Sequence, residues 1–212
     1  MNKTIVYYTA NREDPAFEQK VIDQINKVKG DIPVISVSQK PLDFGMNICV
    51  GDVGQTYLNA FRQLQIGCEE ARTEYVIMSE SDCWYPLSGY FDFNFTDPSV
   101  IYTYDSVYVI RSGGTHFYGK RQTHGSIVYG RKFLLELLNE SFRNLPQWSR
   151  EKIGFPFYNE THKFVHFNGD PIVSVKTGKG FQKWTRTDSA PVKEIPYWGT
   201  AKEFNEHCRL DT

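Results

Sequence analysis

Two carboxylates, Glu80 and Asp82, stand two residues apart just after the apolar run Tyr75-Val76-Ile77-Met78. An unbroken run of that kind is the pattern of a strand buried on both faces. If strand geometry continues through Ser79-Glu80-Ser81-Asp82, the i, i+2 spacing sends both acids to one face. Neighbouring carboxylates repel unless a cation or a shared proton neutralises them. The pair is therefore a candidate site for a hard divalent cation held through oxygen. The same spacing also describes two solvated acids in a loop, so the elements around the pair decide its meaning.

The chain opens with a β-rich run, Thr4 to Tyr8, followed by the polar turn Thr9-Ala10-Asn11-Arg12-Glu13-Asp14-Pro15. Asp14-Pro15 reads as a helix cap and first helical residue. Phe17, Val21, Ile25 and Val28 recur at helical spacing up to Gly30, and Ile32 to Val37 reads as a second strand. Strand, helix and strand within 40 residues predict a βαβ unit with a parallel sheet. Residues 38–54 are rich in turn formers and read as a loop. Leu58, Phe61, Leu64, Cys68 and Ala71 predict an amphipathic helix over 55–72 that leads into the Tyr75 strand. Thr9–Arg12 and Glu80–Asp82 would then share the carboxyl edge of one sheet, where open α/β sheets bind ligands. Further on, Val100–Tyr104, Ser106–Ile110, Ser126–Tyr129, Phe164–Phe167 and Ile172–Val175 read as strands, with a helix over Arg131–Phe142 and a short one from Thr200.

At 212 residues with 40% hydrophobic and 23% charged content, the chain suits one domain with a substantial core. No apolar run reaches the ~20 residues that span a bilayer, and the N-terminus has no signal-peptide pattern. The expectation is therefore no membrane partner. The 4 cysteines show no CxxC spacing, so neither a zinc site nor a disulfide framework is indicated. A reduced, cytoplasmic setting follows, the host cytoplasm where the source is a virus. Charge is uneven. Residues 1–110 carry 8 Lys+Arg against 15 Asp+Glu, residues 111–193 carry 14 against 6, and residues 194–212 carry 2 against 4. The basic segment suits a polyanion, either nucleotide phosphates or a nucleic acid. Solvated surface cations are the plain alternative.

A βαβ opening, a helix feeding a buried strand that ends in acid-x-acid, and a mixed second half together resemble a GT-A fold glycosyltransferase, similar to small bacterial and phage family-2-like members. The resemblance is carried by GQTYLNAFRQLQIGCEEARTEYVIMSESDCWYP (54–86) and, more weakly, by HGSIVYGRKFLLELL (124–138). Glu80 departs from it, standing where the family usually has Asp. The resemblance implies an α/β fold, a GT-A type, Rossmann-like three-layer sandwich with a mixed, mostly parallel sheet. It implies one domain over 1–212, with a nucleotide-sugar half at 1–110 and an acceptor half at 111–212. It also implies a nucleotide-sugar donor, UDP-sugar favoured, and Mn²⁺ or Mg²⁺ against the donor diphosphate. On this reading Asp82 is the direct metal ligand and Glu80 reaches the ribose or a metal-bound water. His166 would complete the metal shell. Thr9, Ala10, Asn11 and Arg12 cradle base and ribose, and Gln63 touches the nucleotide-sugar. An inverting transferase also needs a base for the acceptor hydroxyl, for which Asp170, His124 and Glu151 are the candidates in that order. Trp84, Tyr85, Trp184 and Trp198 are candidate stacking surfaces.

For the acceptor, the basic segment interleaves Arg111, Lys120, Arg121, Arg131, Lys132, Lys176, Lys179, Lys183 and Arg186 with Phe117, Tyr118, Phe181 and Trp184. Cations with aromatics suit a nucleic-acid backbone and a displaced base. Since small phage-type members glycosylate hydroxymethylated pyrimidines, modified DNA is the leading acceptor, with saccharide, lipid-linked sugar or protein hydroxyl open. Two rivals remain. A sugar-phosphate nucleotidyltransferase would carry a glycine-rich basic loop after the first strand, and Thr9–Asp14 has no glycine. A non-catalytic nucleotide- or nucleic-acid-binding module would need no cation.

Overall fold

A computed structural model describes residues 2–121, 123–155, 162–180 and 189–208. The chain runs β1 (Lys3–Thr9), α1 (Pro15–Val28), β2 (Val34–Ser38) and β3 (Met46–Cys49). Next, α2 (Tyr57–Glu70) feeds β4 (Tyr75–Glu80), followed by β5 (Cys83–Trp84), β6 (Ile101–Tyr104), β7 (Val107–Arg111) and β8 (Tyr118–Lys120). Then come β9 (Ile127–Gly130), α3 (Arg131–Ser141), β10 (Phe164–Phe167) and β11 (Ile172–Lys176). A small pair, β12 (Glu194–Ile195) and β13 (Gly199–Thr200), precedes α4 (Ala201–Cys208).

The main sheet has seven strands in the order β10-β6-β9-β4-β1-β2-β3. Strands β3, β2, β1 and β4 are mutually parallel, whereas β9 runs antiparallel to both β4 and β6. A second sheet of four strands has the order β5-β11-β7-β8. This is the mixed, mostly parallel α/β architecture that the sequence implied. Side chains alternate across β1 and β4 as a buried strand requires. Ile5, Tyr7, Tyr75 and Ile77 join one core with α1, α4 and the second sheet. Val6, Tyr8, Val76 and Met78 join the other, under α2 and α3.

Local chemistry fixes the two helices that frame the site. The Asp14 carboxylate accepts from the Ala16 and Phe17 amides and Pro15 opens α1, as expected. Thr56 caps α2 by accepting from the Asn59 amide. Helix α2 also comes very close to β1. A Cβ at Gly67 would lie 2.5 Å from Val6 Cγ1, so only glycine allows this approach.

Two expectations need correction. Residues 38–54 are not all loop, because Met46–Cys49 adds a parallel edge strand to β2. Its residues are exposed or half-buried, so no apolar run announced it. Asn47 secures the strand instead, donating from Nδ2 to Ser36 Oγ and Ser38 Oγ at 2.9 Å each. The second correction concerns Glu80 and Asp82. Strand β4 ends at Glu80, and the chain turns through Ser81-Asp82 into β5 of the other sheet. The acids are therefore brought together by a change of sheet, not by strand pleating.

Candidate active site

The chain crosses from β1 to β2 and β3 on one side and returns as β4 on the other side of β1. Such a reversal opens a crevice beyond the carboxyl ends of the two strands. A cavity of about 310 Å³ lies there, lined from β1 and its turn by Tyr8, Thr9, Ala10, Arg12 and Glu13, and from β4 and its turn by Glu80, Ser81 and Asp82. The basic half contributes Lys120, Thr123, His124 and Lys176, and α2 with its approach contributes Gln55, Tyr57 and Phe61.

The turn after β1 is pinned rather than loose. Asn11 sits in the left-handed region at φ 49°, its amide bonded to Thr9 Oγ1 at 2.9 Å. Its side-chain carbonyl accepts from the Gln39 and Lys40 amides, at 2.9 Å each, tying the ends of β1 and β2 together. Gln63 does the same from α2, donating to the Thr9 and Val37 carbonyls at 2.8 Å each. Gln39 is 5% exposed and lines the cavity; its Nε2 donates to the Gly54 carbonyl at 2.8 Å. Its Oε1 is buried and has no partner among the described residues. A buried acceptor left open is costly unless a ligand donates to it.

The two carboxylates are held in different ways. Glu80 Oε1 accepts from the Tyr8 hydroxyl at 3.2 Å, and Oε2 from the Thr123 hydroxyl at 3.2 Å and the Gly125 amide at 3.0 Å. A Cβ at Gly125 would meet Tyr85 Oη at 2.9 Å and Glu80 Oε2 at 3.3 Å, so glycine lets this backbone reach the acid. Asp82 is instead ion-paired: Lys176 Nζ lies 2.6 Å from Oδ2, with side-chain exposures of 9% and 18% for lysine and aspartate. Burial alone would raise the Asp82 carboxyl, but the Lys176 ammonium and its hydrogen bond outweigh burial and hold it below the ordinary value of 3.8. Burial lowers Lys176, but Asp82 reverses this and holds it well above the ordinary lysine range. Lys120 is pulled below its ordinary value by burial and by the neighbouring Lys176 ammonium. Burial likewise lowers His124 below 6.5, so its imidazole is neutral near pH 7, and its Nδ1 is buried without a partner among the described residues.

Glu80, Asp82 and Cys83 offer ligand atoms within 4.8 Å of one another. That cluster tests the fit of a divalent cation. Asp82 Oδ2 already meets an ammonium, and Ser174 Oγ donates to it from 3.3 Å. Both Glu80 oxygens already accept hydrogen bonds. Burial pushes the Cys83 thiol well above its ordinary range, so the soft third donor stays protonated and unsuited to Mg²⁺. As they stand, these residues do not fit a resident divalent ion.

The remaining residues singled out from the sequence divide clearly. Thr9, Ala10, Arg12, Gln63, Glu80, Asp82 and His124 line the cavity. Asn11 stands behind it as a clamp. Asp170 is outside it, accepting from Ser88 Oγ at 2.9 Å, and Glu151 is exposed on the loop whose Ser149 carbonyl accepts from Thr56 and Asn59, without lining the cavity. His166 is exposed on β10 and contacts Asp105 at 2.8 Å, apart from the Glu80–Asp82 cluster. Trp84 and Tyr85 are not pocket walls. Trp84, 2% exposed, packs against Phe17 and Phe204, and the fully buried Tyr85 stacks on Tyr90. Trp198 donates to the Pro171 carbonyl at 2.6 Å in the core. Phe181, Lys183, Trp184 and Arg186 lie outside the described residues. Sequence reasoning did not place Lys120, Lys176 or Gln39 at the site. Lys176 did leave a signal: it ends the run Ile172–Val175 as Glu80 closes the run beginning at Tyr75.

No protein-family model matches the sequence, and no curated protein matches it. Solved structures do resemble the fold. The crystal structure of a glycosyltransferase involved in glycosylation of the major capsid of PBCV-1 aligns at TM-score 0.47 and 11% identity, over 79% of this chain and 82% of that one. HddC from Yersinia pseudotuberculosis aligns at TM-score 0.48 and 8% identity over 100% of both chains. Residues 1–349 of TarS from S. aureus align at TM-score 0.39 and 10% identity, over 66% of this chain and 49% of that one. The architecture assigned here rests on the strand order itself. Among the described residues, no helix is long and apolar enough to cross a membrane.

Proposed function

We propose that the chain is a glycosyltransferase that moves a sugar from a nucleoside-diphosphate sugar to an acceptor hydroxyl. The observation that carries this reading is the meeting of Lys120, Lys176, Glu80, Asp82 and the open Gln39 acceptor in one cavity at the β1–β4 switch point. The base and ribose lie against Thr9, Ala10, Arg12 and Gln39, where an imide N–H, as in uracil, suits the unpaired Oε1. The diphosphate lies toward the lysines, whose charge stabilises the leaving group as its bond to the anomeric carbon breaks. Of the three candidate bases only His124 lines the cavity, and a neutral imidazole can take the acceptor proton.

Mn²⁺ or Mg²⁺ on Asp82 would require Lys176 to leave that carboxylate first, so no step is routed through a metal. The modified-DNA acceptor loses two of its cations, Lys120 and Lys176, to the donor cavity, while Arg111, Arg121 and Lys132 remain exposed. Binding to hydroxymethylated DNA that falls steeply with salt supports that acceptor; salt-insensitive turnover on a free saccharide removes it.

The test is a thermal-shift and product-release screen of UDP- and GDP-sugars, each with and without Mn²⁺. Stabilisation by a nucleotide-sugar, rising with its concentration, with release of nucleoside diphosphate on adding acceptor, is the expected result. If no nucleotide-sugar stabilises the protein in either buffer, the reading fails.

A further inference from the structure

We infer that this site neutralises the donor diphosphate with two ammonium groups, Lys176 and Lys120, and needs no divalent cation to do so. The inference rests on the nucleotide-sugar reading and specifies the charge chemistry of that site.

Lys176 already holds the place a cation would take on Asp82, at 2.6 Å from Oδ2. Backbone pairing, not a side-chain rotamer alone, puts it there. The Val175 amide donates to the Asp82 carbonyl at 2.7 Å, Ser174 pairs with Cys83, and Lys176 is the next residue along β11. A metal on Asp82 would have to expel an ammonium that the sheet register delivers to the carboxylate. Glu80 offers no easy substitute, because donors from Tyr8, Thr123 and Gly125 engage both of its oxygens.

Lys120 lines the same cavity from β8 and makes no hydrogen bond or ion pair from its ammonium among the described residues. The neighbouring Lys176 ammonium lies close enough to act on it electrostatically. Two like charges facing one cavity repel, and an anion between them removes that repulsion. Each ammonium carries three N–H donors. Lys176 can keep one on Asp82 and direct others at phosphate oxygens, while Lys120 binds as a second point charge. Together they aim two ammonium groups at the diphosphate, that of Lys176 shared with Asp82. Asp82 then serves as a positioning residue for Lys176.

The experiment is calorimetric titration of the full-length, chelator-stripped protein with UDP, GDP, CDP, ADP and dTDP, in EDTA and again in Mn²⁺. At least one nucleoside diphosphate is expected to bind in EDTA within about threefold of its affinity in Mn²⁺. Lys120→Met and Lys176→Met should each weaken that binding by about tenfold or more, in both buffers, as loss of a charge-assisted contact predicts. Lys120→Met leaves the Asp82 ion pair intact, so it remains informative if Lys176→Met fails to fold by near-UV circular dichroism. Lys176→Arg should keep more affinity than Lys176→Met. Binding that requires Mn²⁺, or that survives both lysine substitutions, overturns the lysine site and leaves the nucleotide-sugar reading standing. Absence of binding by every diphosphate in both buffers overturns that reading and the lysine site with it.

Discussion

The large sheet delivers carboxylates to the cavity and the small sheet delivers ammonium groups. Glu80 ends β4 of the seven-stranded sheet, whereas Lys120 and Lys176 end β8 and β11 of the four-stranded one. Asp82 lies in the turn between the two sheets and is where the opposite charges touch. The charge split along the sequence, acidic to residue 110 and basic over 111–193, thus reappears as two walls of one cavity. The two acids also differ in how they are stabilised. Glu80 is held by the neutral donors of Tyr8, Thr123 and Gly125, while Asp82 is ion-paired with Lys176.

Breaking the ion pair should have the largest effect. Lys176→Ala leaves a half-buried carboxylate unpaired and should lower unfolding stability by about 3 kcal/mol, measured by urea denaturation. The double variant Asp82→Asn/Lys176→Ala should recover much of that loss, and a double equal to the sum of its two single variants would break the contrast between the acids. Glu80→Gln is expected to cost about 1–2 kcal/mol, because the new amide N–H₂ must face at least one of the existing donors.

A pH series gives a smaller effect. His124 has a folded pKa lowered by burial, so the unfolded chain binds its proton first as pH falls below 6.5. Stability should therefore decline from about pH 6.5 down through the folded pKa, at no more than about 1.4 kcal/mol per pH unit. His124→Gln should flatten that slope relative to wild type. The groups facing His124 electrostatically, Glu80 and Lys120, remain in both proteins. The smallest effect is expected at the exposed Arg12–Asp52 pair, 2.9 Å apart with side chains 41% and 62% exposed. Arg12→Ala should change stability by under about 0.5 kcal/mol, so a clear loss of nucleotide affinity there would report direct ligand contact.

What could be read from the sequence follows from what is local. The Asp14 cap, the apolar stripe of α2 and the buried run into Glu80 each declare themselves within a few residues, and the parallel start of the sheet follows from them. The edge strand at Met46–Cys49 has no such signature, since Asn47 side-chain bonds secure it in place of burial. At the site, the β1 turn and the acid pair were legible by type and spacing. The reason they meet was not, because it depends on the chain leaving one sheet for another at Ser81. Lys176 was visible as part of a basic excess and as the close of the run Ile172–Val175. Nothing near it in sequence indicates that Ser174 will pair with Cys83. Trp84 and Tyr85 misled for the same reason: residues beside a motif looked like its walls, but the turn at Ser81-Asp82 carries them into the core.

The Lys176–Asp82 contact joins residues 94 apart in sequence. Closing a loop of that length costs on the order of 4 kcal/mol in chain entropy, so the contact forms after the local βαβ units rather than guiding them. During synthesis at ~5–20 residues per second, Asp82 precedes its lysine by roughly 5–20 s. For that interval the nascent chain carries the acidic wall of the cavity alone. The site is therefore completed by one of the last strands to arrive, and a refolding probe placed at β5 should report it in a later phase than one placed at β1.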